Sequence, residues 1–119
     1  MLSFPHVIIA EDEPLVAVTV GGMLEEGGYR VTLARDGLEA LDLDERDPAD
    51  VLVTDLRMPR LDGIGLISRM RERRPRLPIV VMTGYSDVFP DTSAGRLVII
   101  HKPFWGDQIV RAVEAVLGS

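Results

Sequence analysis

The hydrophobic residues of the chain are concentrated in short segments that have the pattern of β-strands. Four of these segments are apolar at almost every position, which is typical of parallel strands that are covered on both faces. One further segment alternates apolar and polar residues, as a less deeply buried strand would. The predicted strands are His6–Ala10, Tyr29–Ala34, Val51–Thr54, Ile79–Met82 and Leu97–His101.

Helical patterns lie between and after these strands. Asp36, followed by Glu39 three residues later, resembles a capping box and predicts the start of a helix. Gly21–Gly22 weakens the first helix by about 1 kcal/mol per glycine. The segment Tyr85–Arg96 contains Pro90 and other turn-forming residues, so it predicts only a short or irregular helix. The remaining predicted helices are Pro14–Glu26, Asp36–Arg46, Asp62–Arg73 and Phe104–Leu117.

The alternation of strands and helices predicts the fold class. Such alternation is typical of right-handed βαβ units, which form a parallel sheet with helices on both faces. Of the two common doubly wound strand orders, 2-1-3-4-5 needs five strands and the longer order needs six. We therefore predict that residues 1–119 form a single α/β domain, a flavodoxin-like three-layer sandwich with strand order 2-1-3-4-5 and an abbreviated or irregular fourth helix. A basic cluster on its third helix predicts a solvated surface; it comprises Arg69, Arg71, Arg73 and Arg74.

Composition excludes several classes of function. The chain has 13 basic and 19 acidic residues and a net charge of −6, which argues against nucleic-acid or acidic-membrane partners. The absence of cysteine excludes disulfides, thiol catalysis and cysteine-based zinc sites. No apolar run approaches the roughly 18 residues that a membrane helix needs, and the N-terminus does not resemble a signal peptide. We therefore expect a cytoplasmic domain.

Chemically matched residues follow the predicted strands. In the 2-1-3-4-5 order, strands 1 and 3 are neighbours, and ligands of such sheets bind beyond the carboxyl ends of the strands. Glu11 and Asp12 follow strand 1, and Asp55 follows strand 3. Carboxylates this close repel each other unless a cation lies among them, and a few hard oxygen ligands suit Mg²⁺. Thr83 and Lys102, after strands 4 and 5, could neutralise a phosphoryl group that Asp55 attacks.

These residues lie in motifs that resemble the receiver domain of two-component response regulators. The resemblance spans nearly the whole chain and depends on the motifs occurring together in this order. The matching motifs are Glu11–Pro14, Asp55–Pro59 with Asp62–Gly63, Met82–Gly84 and Lys102–Phe104.

The resemblance implies a phosphoacceptor function. Asp55 would take a phosphoryl group from the phosphohistidine of a sensor histidine kinase or of a histidine phosphotransfer protein. Glu11 and Asp12 match the acidic pair that holds Mg²⁺, with Asp12 as the more direct ligand, and Arg57 matches the position whose backbone carbonyl completes the metal site. A downstream effector protein and a second copy of the chain are further candidate partners.

The resemblance also assigns the switch residues, and here the chain departs from the family. Thr83 matches the switch hydroxyl, and Lys102 matches the lysine that pairs with the phosphoryl group and precedes a bond that is usually cis. The acidic pair is Glu-Asp rather than the commoner Asp-Asp. Ile99 occupies the position of the usual switch aromatic, for which Tyr85 and Phe89 are candidate substitutes.

Four candidate functions differ in the residues that they require. A stand-alone receiver would act as a phospho-switch or phosphate shuttle and catalyse only its own phosphorylation and dephosphorylation; a receiver excised from a longer regulator or hybrid kinase would look the same. A phosphatase with an aspartyl nucleophile needs an acid two residues later, where this chain has Arg57. A flavodoxin-like cofactor binder needs a phosphate loop, and Glu11–Pro14 would repel phosphate. A pseudo-receiver would keep the fold without phosphorylation.

Overall fold

The computed structural model describes residues 4–84, 96–104 and 107–118. The short or irregular helix predicted after the fourth strand lies outside these residues, except for Arg96. The described elements, in chain order, are β1 (His6–Ala10), α1 (Pro14–Glu26), β2 (Arg30–Ala34), α2 (Gly37–Arg46), β3 (Val51–Asp55), α3 (Gly63–Arg73), β4 (Ile79–Thr83), β5 (Leu97–His101) and α4 (Gln108–Leu117).

The strands form one parallel sheet in the order β2-β1-β3-β4-β5, which confirms the predicted fold class. The register pairs Ala10 with Thr54 and Asp55 with Met82. Because the strands are parallel and closely aligned, their carboxyl ends meet at one edge of the sheet. The predicted site residues are therefore brought to the same edge.

Two hydrophobic clusters attach the helices to opposite faces of the sheet. On β1, Val7 and Ile9 contact the cluster that includes Val20 of α1 and Val113 of α4. The intervening residues of β1 point the other way, because side chains alternate along a strand, and they join α2 and α3. This is the predicted three-layer arrangement. β1, β3 and β4 are almost wholly buried, while β2 is partly exposed as its alternating pattern predicts.

Side-chain caps set the starts of two helices. The Asp36 carboxylate accepts a hydrogen bond from the Glu39 N–H at 2.9 Å, so α2 begins at Gly37. The Glu39 side chain accepts from the Arg35 N–H at 2.8 Å, one residue before the position that a standard capping box uses. Asp62 caps α3 in the same way, through the Gly65 N–H at 2.8 Å.

The last helix begins later than predicted. We expected it to run from Phe104, but α4 begins at Gln108. Phe104 lies outside the helix, after a cis Lys102–Pro103 bond, and its ring packs against the cluster between the sheet, α1 and α4. The prediction failed because an apolar residue that packs on the core from a loop has the same sequence pattern as one on a helix.

The basic cluster of α3 is not simply a solvated surface, so that prediction is corrected. Arg74 pairs with the buried carboxylate of Asp44 and donates to the carbonyl of Ala49. Arg71 donates to the carbonyls of Leu77 and Arg96 at 3.1 and 3.2 Å. These two arginines therefore hold the loops at the amino end of the sheet. No described helix combines the length and apolarity that a membrane crossing requires.

Arg96 connects the start of β5 to α4 and to β4. Its guanidinium donates to the carbonyls of Val116 and Leu117 at 3.3 and 3.2 Å, which satisfies acceptors at the end of α4. Its own carbonyl accepts from the Ile79 N–H at 2.9 Å. The φ angle of 53° places Arg96 in the left-handed region, so these contacts hold a backbone conformation that non-glycine residues seldom adopt.

Gly63→Ala is expected to destabilise the fold by about 1–3 kcal/mol. A Cβ at this position would overlap the carbonyl oxygen of Asp55 and the Cα of Leu56, both of which are backbone atoms. Gly22→Ala is the matched control, since a Cβ there meets no atom within 4 Å. That variant should gain up to about 1 kcal/mol of helix propensity. Urea unfolding measures both changes, and a Gly63→Ala variant as stable as the native chain would contradict the expected overlap.

Candidate functional site

A cleft at the carboxyl edge of the sheet contains nearly all the predicted site residues. Its volume is about 300 Å³. Its lining residues are Asp12, Glu13, Asp55, Arg57, Thr83, Gly84 and Lys102. Glu11 lies at the same edge but is only 1% exposed, whereas Asp12 is exposed. The structure thus brings together the residues that the sequence analysis assigned to the metal site and to phosphoryl transfer.

Three carboxylates in this region are close enough to share a cation. Glu11, Asp12 and Asp55 each offer an oxygen, and these oxygens lie within 4.8 Å of one another. Carboxylate oxygens are the donors that Mg²⁺ prefers, and Asp12 leaves the set open to solvent on one side. The donor set therefore fits a hard divalent cation that keeps part of its water shell.

Lys102 partly neutralises the carboxylates. Its Nζ lies 2.7 Å from Oε1 of Glu11 and 2.9 Å from Oδ2 of Asp55. Burial raises the pKa of Glu11, and the hydrogen bonds from Lys102 and from the Glu13 N–H only partly oppose this. Burial works to lower the pKa of Lys102, but the hydrogen bonds to Glu11 and Asp55 outweigh it, so the pKa of Lys102 is raised. A single ammonium leaves an excess of negative charge for a divalent cation to neutralise.

The Asp55 carboxylate has a fixed orientation. Its Oδ1 accepts from the Leu56 N–H at 2.7 Å and from the Arg57 N–H at 3.3 Å, while Oδ2 accepts from Lys102. Asp55 therefore has both oxygens held by donors at the end of a buried strand.

Thr83 is buried at the end of β4 and lines the same cleft. Its carbonyl accepts from the Lys102 N–H at 2.8 Å, so the backbones of these two site residues are joined directly. The switch role of its hydroxyl and the metal-ligating role of the Arg57 carbonyl stay predictions.

The loop after β3 is held by contacts that the sequence analysis missed. Arg60 donates to both carboxylate oxygens of Asp36 at 2.8 and 3.1 Å, and the Gly37 N–H donates to the Leu61 carbonyl at 3.1 Å. The Arg60 hydrogen bond lowers the pKa of Asp36, even though burial acts in the opposite direction. Arg60 has a φ of 67°. A left-handed conformation at an arginine leaves no signal in the sequence, so this contact could not be predicted.

Ile99 lies away from the cleft. It is partly buried and packs against the cluster that joins the sheet to α2 and α3. Tyr85 and Phe89, the candidate substitutes for the usual aromatic, lie outside the described residues.

Over nearly its whole length, the chain is similar to known proteins of a single family. The family model described as "Response regulator receiver domain" matches residues 7–114. The chain is 38% identical over 113 residues to the transcriptional regulatory protein PdtaR of Mycobacterium tuberculosis, covering 92% of this chain and 55% of that protein. It is 34% identical over 115 residues to the response regulator MprA of Mycobacterium avium, covering 94% of this chain and 50% of that protein. The chain thus spans about half the length of these curated relatives.

Three solved receiver-domain structures have the same fold as this chain. The receiver domain of the Francisella response regulator 1452 superimposes with a TM-score of 0.82 at 30% identity, covering 96% of this chain and 97% of that one. The receiver domain of NtrX from Brucella abortus gives a TM-score of 0.85 at 26% identity, with 95% and 98% coverage. A signal receiver domain of a histidine kinase from Syntrophus aciditrophicus gives 0.85 at 27% identity, with 96% and 90% coverage.

Asp36→Asn should remove a pH-dependent part of the stability. The pKa of Asp36 is lowered below its ordinary 3.8 in the folded state, so its contribution is present above pH 3.8 and lost as the pH falls through the folded pKa. Asn keeps a capping oxygen, so the variant tests mainly the charge. Urea unfolding across a pH series should give the variant a lower free energy of unfolding than the native chain, by about 1 kcal/mol or less near neutrality. This difference should shrink below pH 3.8. A difference that widened in acid would contradict the assignment.

Proposed function

Because the chain belongs to the response regulator receiver domain family, we propose that it is the phosphoacceptor domain of a two-component or phosphorelay system. In this proposal, Asp55 accepts a phosphoryl group from the phosphohistidine of a sensor histidine kinase or a histidine phosphotransfer protein, and the modification switches partner binding. The observation that carries the proposal is the Asp55 carboxylate, held by Lys102 and two backbone N–H groups and facing a cleft beside Asp12.

The acidic cluster supports a requirement for a divalent cation. Asp12 and Asp55 would hold Mg²⁺ together with the backbone carbonyl of Arg57, and Glu11 would contribute its charge to the site. When bound, the cation would neutralise negative charge on the phosphoryl oxygens, which is the main requirement of phosphoryl transfer.

The residues of the chain would perform the transfer as follows. A carboxylate oxygen of Asp55 attacks phosphorus, the P–O bond forms, and the P–N bond of the phosphohistidine breaks with its electron pair remaining on the imidazole. Lys102 then donates a hydrogen bond to a phosphoryl oxygen, and the Thr83 hydroxyl donates to another. The chemistry is confined to the domain's own phosphorylation and dephosphorylation.

An apolar surface beside the site supports a protein as the donor. Leu15 and Val18 of α1 are 79% and 62% exposed. A cleft of about 340 Å³ is lined by Leu15 together with Pro103 and Phe104, which come directly after the site lysine. Exposed apolar surface of this kind is typical of an interaction site. A histidine-bearing protein that covers it would bring its phosphohistidine to Asp55.

Incubation with Mg²⁺ and acetyl phosphate should add one phosphoryl group, detected by intact mass. Asp55→Asn should abolish the adduct because its amide cannot act as the nucleophile. Asp42→Asn, which changes an exposed carboxylate on α2, is the control and should be phosphorylated normally. If no small phosphodonor gives an adduct although Mg²⁺ binds, the chain is a pseudo-receiver and the proposal fails.

Lys102→Ala should separate phosphorylation from its consequences. We expect the substitution to reduce formation of the Asp55 adduct less than it reduces the conformational response. The cation still neutralises the phosphoryl group, whereas the hydrogen bond that would connect this group to β5 through the Lys102 side chain is lost. Amide NMR shifts measured before and after phosphorylation test this expectation. A full response in regions remote from Asp55 in this variant would contradict the switch role of Lys102.

A further inference from the structure

The end of α3 and the loop after it carry a concentration of positive charge. Residues 69–76 contain five arginines and one glutamate, which gives this segment a net charge of +4. The rest of the chain contains eight basic and 18 acidic residues, a net charge of −10. The charge of the molecule is therefore strongly polarised, and the field of this segment would attract an acidic group.

A groove of about 620 Å³ lies among these arginines, at the amino ends of β3 and β4. We call it the basic groove. Leu77 and Pro78 are buried and give it an apolar floor. Asp50, which also lines the groove, and Asp55 lie at opposite ends of β3, about 17 Å apart at the usual rise of a strand. The other lining residues that matter here are Arg73, Arg74, Pro75 and Arg76.

The arginines of the basic groove differ in how far they are committed to other contacts. Arg74 pairs with the buried carboxylate of Asp44 and donates to the Ala49 carbonyl. Arg73 lies 3.7 Å from the same carboxylate, beyond hydrogen-bond distance, and its side chain is 45% exposed. Arg76 is exposed, and its guanidinium forms no ion pair with any residue that the structure describes. Two guanidiniums beside an apolar floor therefore have donors to spare.

Two further arginines approach the basic groove from its inner side. Arg71 donates to the carbonyl of Leu77 at 3.1 Å, and Arg96 donates to the carbonyl of Arg76 at 3.2 Å. Burial lowers the pKa of Arg71, and the nearby positive charge of Arg96 lowers it further. The carboxylate of Asp50 accepts from the His6 N–H at 2.7 Å and so is partly used within the protein. An added negative charge would relieve the repulsion among these arginines.

We propose that the basic groove docks an acidic segment of a partner protein, with an apolar side chain of that segment on its floor. The planar guanidiniums of Arg73 and Arg76 suit carboxylates, which they can bind through two parallel hydrogen bonds. A nucleic acid fits less well, because it needs several phosphate contacts and would meet the negative charge of the rest of the chain. The groove is remote from Asp55, so the proposal does not rest on the proposed function.

A model peptide tests the chemistry of the groove. The probe is a fluorescein-labelled peptide of four glutamates and two leucines, and its control replaces the glutamates with glutamines. Fluorescence anisotropy with the full chain should show binding of the probe that weakens as salt is added, and at least ten-fold weaker binding of the control. In amide NMR spectra, the unlabelled probe should shift the signals of Arg76 and Leu77 and leave that of Asp55 in place.

A pair of double variants locates the binding site. Arg73→Gln with Arg76→Gln should weaken binding of the probe at least ten-fold. Arg35→Gln with Arg111→Gln makes the same charge change at exposed positions elsewhere and should stay within two-fold of the native chain. Arg74 is left unchanged, because its loss would leave the buried carboxylate of Asp44 without its closest partner.

Five results would each overturn the proposal. They are no binding of the probe up to about 1 mM, equal losses in the two double variants, shifts centred on Asp55, tighter binding of a single-stranded oligonucleotide of the same charge, and self-association of the native chain that Arg73→Gln with Arg76→Gln abolishes. The last two would assign the groove to a nucleic acid or to a second copy of this chain. Asp55→Asn should bind the probe as the native chain does, and failure to phosphorylate Asp55 would overturn only the proposed function.

Discussion

The repulsion between carboxylates at one edge of the sheet is the constraint that the site depends on. Glu11, Asp12 and Asp55 offer oxygens within 4.8 Å of one another, in a region where two of the side chains are largely buried. Lys102 meets this constraint from β5, two strands away from β3. The ammonium reaches its partners because the carboxyl ends of β1, β3 and β5 lie at the same edge of the sheet. The strand order and the chemistry of the site are therefore linked through the two hydrogen-bonded ion pairs of Lys102.

Most of the fold could be predicted from the sequence because its signals are local. Buried parallel strands are visible as runs of apolar residues, and Asp36 and Asp62 mark helix starts through caps that lie three residues from their targets. Phe104 was misassigned because its packing depends on α1, which is distant in sequence. The role of Arg74 was missed for the same reason, since its partner Asp44 lies on another helix. Local patterns do not reveal which solvent-facing charge finds a buried partner.

The candidate site could be predicted as a set of residues but not as a set of contacts. The positions of Asp55, Lys102 and the acidic pair follow from the strand ends and from the resemblance to receiver domains. The orientation of Glu11 does not, because a carboxylate with an added methylene can face either a cation or an ammonium. Only the distances in the folded chain distinguish the two arrangements. The same holds for Arg60, whose contact with Asp36 requires an uncommon backbone conformation.

The backbone contacts at the ends of β4 and β5 have a consequence for how the site can vary. Thr83 is joined to Lys102, and Arg96 to Ile79, by backbone hydrogen bonds, so the two strands are attached to each other at both ends. Because these bonds are made by backbone atoms, they keep the two strands aligned without the side chains of Thr83 and Lys102. Substitution of either side chain can therefore change the chemistry of the site while the strand ends stay in place.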